Sequence, residues 1–190
     1  MNDLKMNLAD YIIEVPDIVP DDLCKQILEE YGADSNWYEA TIGTGIVDKT
    51  KRNVNTIPIS QPATILENPL TRKVIDNALF ECVSKAKETY GSLYPTCTVE
   101  SDSGYDLLRY DEGMFYVEHV DSFKAQPRAI SCSLALNDDY EGGEFSFFGR
   151  KIVIKPKKGS ALLFPSNFMY PHEVQPVTKG TRYSIITWLI

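Results

Sequence analysis

The sequence predicts a mainly β protein with supporting helices, an α+β chain built on a jelly-roll (double-stranded β-helix) core of about eight strands. Three observations lead there. The first half holds two segments whose apolar residues recur at helical spacing. From Tyr105 onward, short β-type segments alternate with clusters of turn residues. No linker, repeat or low-complexity stretch separates the halves, and 190 residues suit one domain with a sizeable core. The expected organisation is a single domain over 1–190, with 1–100 as a helical support and loop region and 104–190 as the β core.

Taken in order, Pro20-Asp21-Asp22 opens a short helix with Leu23, Ile27, Leu28 and Tyr31 on its apolar face, and Gly32 stops it. Residues 37–60 read as strand, polar loop, strand: Trp37 to Ile42, Gly43 to Gly45 with Asp48 to Asn53, then Thr56 to Ile59. A loop of that length is often functional, and a plain surface hairpin accounts for it equally well. Asn68-Pro69 gives the second helix an N-cap and a proline at its first position. Its stripe is Leu70, Val74, Ile75, Leu79, Val83 and Ala86, which carries it to about Tyr90 before Gly91. Eight β segments follow: 105–110, 115–121, 129–136, 144–148, 151–155, 160–164, 170–177 and 181–189. Eight short strands at this spacing suggest a closed sandwich or barrel with the two helices packed outside.

The composition, 43% hydrophobic and 24% charged, is that of an ordinary globular protein. With 27 acidic against 19 basic residues, the net charge of −8 argues against a chain that grips nucleic-acid phosphates. No apolar run approaches the roughly 18–20 residues of a membrane helix, and the first ten residues carry acids where a signal peptide is apolar. The expectation is a cytoplasmic protein with no nucleic-acid or membrane partner. Cys24, Cys82, Cys97 and Cys132 form no Cys-x-x-Cys pair, so free and mostly buried thiols are expected.

The chain has two histidines, His119 and His172. His119 and Asp121 form a His-x-Asp pair in a predicted strand, where residues two apart point to one face. An imidazole and a carboxylate side by side can fill two corners of a metal's coordination sphere, and His172, on another predicted strand, can supply a third. Two histidines and one carboxylate with open positions is the donor set of non-haem Fe(II) oxygenases. A surface His–Asp hydrogen bond would account for the pair without any metal. Among other features, Glu141-Gly-Gly-Glu144 reads as a plain turn, Lys157-Lys158 as a solvated doublet, and Tyr116 falls by alternation on the face opposite His119.

The second half resembles the prolyl 4-hydroxylase-type Fe(II)- and 2-oxoglutarate-dependent dioxygenases. The segments that carry the likeness are Leu108-Arg-Tyr110-Asp-Glu-Gly113, His119-Val-Asp121, Ala129 to Asn137 with Glu141-Gly-Gly-Glu144, Pro171-His172-Glu-Val-Gln-Pro-Val177, and Gly180-Thr-Arg182-Tyr-Ser184-Ile-Ile-Thr-Trp188. Each is weak alone; their order and spacing are specific. The resemblance implies that His119, Asp121 and His172 hold Fe(II), and that Arg182 pairs with the distal carboxylate of 2-oxoglutarate. Arginine's planar fork suits that role, since a buried carboxylate must meet a cation. A solvated surface arginine is the alternative. Ser184 and Trp188 share a strand face with Arg182, and Tyr110 stands where the family often has a cosubstrate-contacting tyrosine, or it is simply a core residue. Where several members have a second such tyrosine, this chain has Ala135, on a small face with Ala129, Ser131 and Ser133.

The resemblance further implies consumption of dioxygen and 2-oxoglutarate, with ascorbate as a candidate reductant and hydroxylation of an unactivated C–H bond. Asp121 favours hydroxylation, because halogenating relatives lack this carboxylate. A prolyl residue in a peptide or protein is the first expected substrate, with Arg52 in the 43–55 loop as a substrate contact. The alternatives are a free amino acid or other small molecule, or a non-catalytic jelly-roll metal-binding module. Nucleic-acid demethylases of this fold usually carry an arginine where Trp188 stands here.

Overall fold

The computed structural model describes residues 7–32, 37–43, 45–60 and 69–190. A 3-10 turn at Leu8–Tyr11 leads into β1 (Ile13–Val15) and α1 (Asp21–Tyr31); then come β2 (Tyr38–Glu39), β3 (Arg52–Asn53), β4 (Asn55–Pro58) and α2 (Pro69–Leu93). The β half comprises β5 (Asp106–Tyr110), β6 (Phe115–His119), β7 (Ile130–Ala135), β8 (Glu141–Gly142), β9 (Phe145–Phe147), β10 (Ile152–Ile154), β11 (Ala161–Pro165), β12 (His172–Val174), β13 (Val177–Lys179) and β14 (Arg182–Leu189).

The strands form a seven-stranded sheet in the order β1-β11-β7-β14-β5-β4-β2, a five-stranded sheet β10-β9-β12-β6-β3, and a β13-β8 pair. This is the expected jelly-roll arrangement, except that the sheets remain open rather than closing into a barrel. The supporting region also contributes more than helices, since β1, β2 and β4 extend the larger sheet and β3 the smaller.

Two apolar layers hold the sheets. One lies between the larger sheet and the helices and contains Ile27, Ile75, Leu79, Leu107, Leu134 and Ile185, all at most 1% exposed. At roughly 1.5–3 kcal/mol for each fully buried aliphatic side chain, this layer fastens α1 and α2 to the sheet. The other lies between the sheets, where Phe145, Phe147, Leu162 and Phe164 pack with Tyr110. Strand alternation divides β7 between them: Cys132 and Leu134 face the helices, while Ser131 and Ser133 face the opposing sheet.

Several expectations need correction. Val74 is 57% exposed, because the contact face of α2 runs through Ile75, Leu79, Cys82, Val83, Ala86 and Tyr90. Gly91 does not end that helix, which continues to Leu93. Asn68 and the Leu70 side chain lie outside the described residues, as does Thr44. Gly32 follows the last residue of α1, but with φ −61° it stays right-handed and makes no glycine-type cap. The segment 170–177 is two strands, β12 and β13, interrupted at Gln175-Pro176, where proline cannot donate a ladder hydrogen bond. Arg72, unremarked in the sequence, is buried in α2 and donates to the carbonyls of Pro58 and Ile59.

Candidate metal centre and cosubstrate hollow

β6 and β12 are antiparallel neighbours, with His119 directly opposite His172. Asp121 follows the end of β6, and its backbone N–H donates to the Ser166 carbonyl at 3.2 Å, tying it toward β11. The three side chains converge: Asp121 Oδ1 lies 3.3 Å from His119 Nε2 and Oδ2 lies 3.5 Å from His172 Nε2. One donor atom from each falls within 4.8 Å of the others, close enough to share a cation.

The backbone orients both imidazoles. His119 Nδ1 lies 2.8 Å from the Val117 carbonyl and His172 Nδ1 lies 3.1 Å from the Tyr170 carbonyl. A carbonyl only accepts, so each Nδ1 carries the proton and each Nε2 presents a lone pair to the shared space. Ser131 Oγ donates to Asp121 Oδ2 at 2.6 Å and lies 2.8 Å from Ser166 Oγ, which fixes the carboxylate's rotation. Phe164 edges onto the His172 ring at 4.6 Å, with Phe145 and Phe147 beyond it. That burial pushes His172 down to about 4, against the pull of Asp121, so the ring is neutral and able to ligate at pH 7. Burial alone would raise the Asp121 carboxyl, but His172, His119 and the Ser131 hydroxyl outweigh it and hold it well below the usual carboxylate range.

The triad opens into a hollow between the two sheets. His119, Asp121, His172, Arg182, Tyr110, Ser184, Trp188 and Arg52 all line it, so every site residue singled out in the sequence meets in one place. β14 supplies Arg182, Ser184 and Trp188 from alternate positions, and β5 brings Tyr110 opposite Arg182. The Arg182 guanidinium is buried, lies over the Tyr110 and Phe145 rings at 4.9 and 5.1 Å, and interacts with the Tyr110 and Tyr140 phenols. Its Nη1 and the Ser184 hydroxyl are buried with no hydrogen-bond partner among the described residues. Two orphaned polar groups beside a buried cation leave a place for an anionic acceptor. A dicarboxylic keto acid fits that demand, and the His–Asp–His set fits a divalent metal.

Tyr116 lies on the site face, contrary to strict alternation. Two steps along β12, from His172 to Val174, stand opposite three steps along β6, from His119 to Tyr116. The extra residue is a β-bulge, which turns Tyr116 onto the His119 ring with centroids 3.5 Å apart. The glycine pair is likewise more than a turn. Gly143 has φ +67°, and a Cβ there would meet Arg182 Cδ at 3.1 Å, so its bareness makes room for the arginine's stem. Tyr140 and Arg128 also escaped the sequence reading, which took neither as a site residue. Ser131 was foreshadowed only by the small residues on its strand face.

Comparison with known proteins agrees with this geometry. Residues 105–190 match the model of the 2OG-Fe(II) oxygenase superfamily. A PKHD-type hydroxylase of Picosynechococcus sp. is 30% identical over 145 residues, covering 73% of this chain and 59% of that protein. Prolyl 3-hydroxylase 2 of Homo sapiens is 46% identical over 66 residues, 32% of this chain and 9% of that protein. A Trichoplax adhaerens prolyl hydroxylase, solved with a hypoxia inducible factor oxygen degradation domain peptide, superposes with a TM-score of 0.77 at 17% identity. That alignment covers 95% of this chain and 83% of the other, and establishes a shared fold.

Through residues 105–190 the chain belongs to the 2OG-Fe(II) oxygenase superfamily, whose reagents are Fe(II), 2-oxoglutarate and dioxygen. Its sequence relatives include a PKHD-type hydroxylase and a prolyl 3-hydroxylase, and it shares the prolyl hydroxylase fold. It spans 59% of the length of the Picosynechococcus relative. Among the described residues no helix is long and apolar enough to cross a membrane.

Proposed function

We propose that the chain is an Fe(II)- and 2-oxoglutarate-dependent dioxygenase that hydroxylates an unactivated C–H bond of a prolyl residue in a peptide or protein. The observation that carries this reading is the meeting, in one hollow, of the His–Asp–His donor set with the orphaned Arg182 Nη1 and Ser184 Oγ. His119 and His172 would present Nε2 and Asp121 a carboxylate oxygen to the metal. Arg182 and Ser184 would take the distal carboxylate of 2-oxoglutarate, with Tyr110 packed beside it. When bound, the metal and keto acid together supply the oxidising chemistry, and the protein supplies binding, orientation and exclusion of water. The wall of Phe145, Phe147 and Phe164 keeps the His172 side of the centre dry. Arg52, on β3 and lining the hollow, would contact the substrate. Peptidyl proline as the substrate is supported by the prolyl hydroxylases among the similar proteins, one of them solved with a peptide.

The test needs no substrate. Purified protein mixed with Fe(II) and 2-oxoglutarate without oxygen should show a weak visible charge-transfer band from keto-acid chelation. The band should vanish in Asp121→Ala and weaken in Arg182→Ala. Iron binding with no band would leave a metal-binding module without cosubstrate.

A further inference from the structure

We propose that the mouth of the hollow selects substrates bearing a carboxylate close to the reacting C–H bond, with Arg52 and Arg128 as the pair that reads it. This preference presupposes the dioxygenase chemistry proposed above and adds a charge requirement to the substrate.

The groove outside the triad has a cationic wall on a chain of net charge −8. Arg52 and Arg128 line it, with Lys51 paired to Asp48 at 3.6 Å, and Asp106 and Glu118 are the carboxylates of the lining besides the triad's own Asp121. Arg52 donates from Nη1 to the Thr41 carbonyl at 2.6 Å and lies over the Tyr116 ring at 4.9 Å, while its Nε is buried with no partner among the described residues. Arg128 lies on the Trp188 ring at 3.4 Å; its Nη1 donates to the Asp121 carbonyl at 3.1 Å and its Nη2 to Gln126 Oε1 at 3.1 Å. Among the described residues neither arginine has a carboxylate within salt-bridge distance. Trp188 Nε1, on the same wall, is a further buried donor without a partner among the described residues.

Arg52 Nε and Trp188 Nε1 are unmatched donors on this wall, and Asp106, a carboxylate of the same lining, attracts both arginines without coming within ion-pair distance of either. Two guanidiniums facing one groove repel each other, and buried donors left without acceptors are costly. A carboxylate relieves both conditions, because it only accepts and its two oxygens match the guanidinium fork. A doubly charged phosphate suits the groove less, with Asp106 and Glu118 on the same lining. Position matters as well: Arg128 is bonded to the backbone of Asp121 itself, so a carboxylate held there lies within about one residue of the metal. It could belong to an acidic side chain next to the target residue, or be the α-carboxylate of a free amino acid.

Calorimetric binding to the full chain loaded with Mn(II) and 2-oxoglutarate, without oxygen, distinguishes these sources. The probes are a capped Ala-Pro-Glu-Ala peptide against its Gln counterpart, and L-proline against L-prolinamide. In at least one pair the acid should bind about tenfold tighter than the amide, and the preference should shrink with added salt. Arg52→Gln and Arg128→Gln should each reduce it to about twofold. Asp106→Asn, which removes the protein's own carboxylate that competes for both arginines while leaving their hydrogen bonds in place, should enlarge it, and this covers the case in which Arg128→Gln disturbs Trp188. Equal affinities, no binding by any probe, or a preference that survives both arginine variants would overturn the inference. The charge-transfer band is measured without substrate, so its loss marks failure of the dioxygenase reading and its persistence isolates failure here.

Discussion

Ser131→Ala is the sharpest probe of how the metal centre is assembled. The serine is fully buried and Asp121 is 7% exposed, and the 2.6 Å bond between them ends on a carboxylate oxygen. Hydrogen bonds to charged groups contribute about 1.5–3 kcal/mol, and loss of a partner that orients a ligand commonly weakens metal binding 10–100-fold. The two figures agree, since about 1.4 kcal/mol is tenfold. There is a second cost. Ser166, 1% exposed, loses the Ser131 hydroxyl as partner, which adds about 1–3 kcal/mol of destabilisation. In a chain of this length each kcal/mol lowers Tm by about 2–4 °C. Mn(II), which tolerates air, can be titrated by calorimetry beside a thermal scan. The expected result is a Kd raised 10–100-fold with Tm down by several degrees. Ser131→Thr, which keeps the hydroxyl, should recover most of the metal affinity even where its methyl costs stability. If Ser131→Ala stays folded and its Mn(II) Kd remains within about twofold of wild type, the hydroxyl does not orient Asp121 and the reasoning fails.

Arg182→Gln removes the buried cation from the hollow, and a lost charge-assisted pair of about 1.5–3 kcal/mol predicts 2-oxoglutarate affinity down by about 10–100-fold in Mn(II)-loaded protein; a change under threefold would place the distal carboxylate elsewhere. Burial pushes the Cys24 thiol up to about 11 and Cys132 up to about 12, and Cys82 is also buried, whereas Cys97 is only partly covered. Native protein at pH 8 should therefore show one thiol reacting with a disulfide reagent in minutes, absent in Cys97→Ser, and four in denaturant; two or more fast thiols in native protein would contradict this. His172 is held to about 4 in the fold against an ordinary 6.5, so the unfolded chain binds the extra proton between those values. The metal-free protein should accordingly lose stability as pH falls from about 6.5 toward 4, with the lowered Asp121 acting in the same direction. Urea midpoints at pH 7.5 and 5.0 measure this, and equal midpoints would refute it.

The parts of the site legible in the sequence are those that obey a period. His119 and Asp121 two apart, and Arg182, Ser184 and Trp188 on alternate positions, share a face because a strand repeats every two residues. The eight β segments were readable for the same reason, bounded by Gly, Pro and Asp clusters. What escaped are departures from the period and contacts made across the fold. The bulge that brings Tyr116 onto His119 arises from the register of β6 against β12, and no local residue announces it. Val74 looked apolar enough for the core, but the faces that β1 and β11 offer α2 decide which side is covered. Arg72 reads as a surface charge until its guanidinium meets two carbonyls that only the folded chain brings together. Arg128 and Tyr140 come from segments between strands, where alternation gives no guidance.

β14 is hydrogen-bonded along both edges, to β5 and β7, and so cannot slide. Its even-numbered residues from Arg182 to Trp188 line the hollow, while Ile185 and Leu189 belong to the layer beneath the helices. The strand thus works as a ruler graduated on both sides, with marks about 7 Å apart on each. From the arginine at one end to the tryptophan at the other is a fixed span of about 20 Å, set by backbone rise rather than by side-chain packing. Substitutions at the mouth can therefore retune which molecule enters while the cosubstrate anchor stays at its graduation. Specificity can drift here without recalibrating the chemistry.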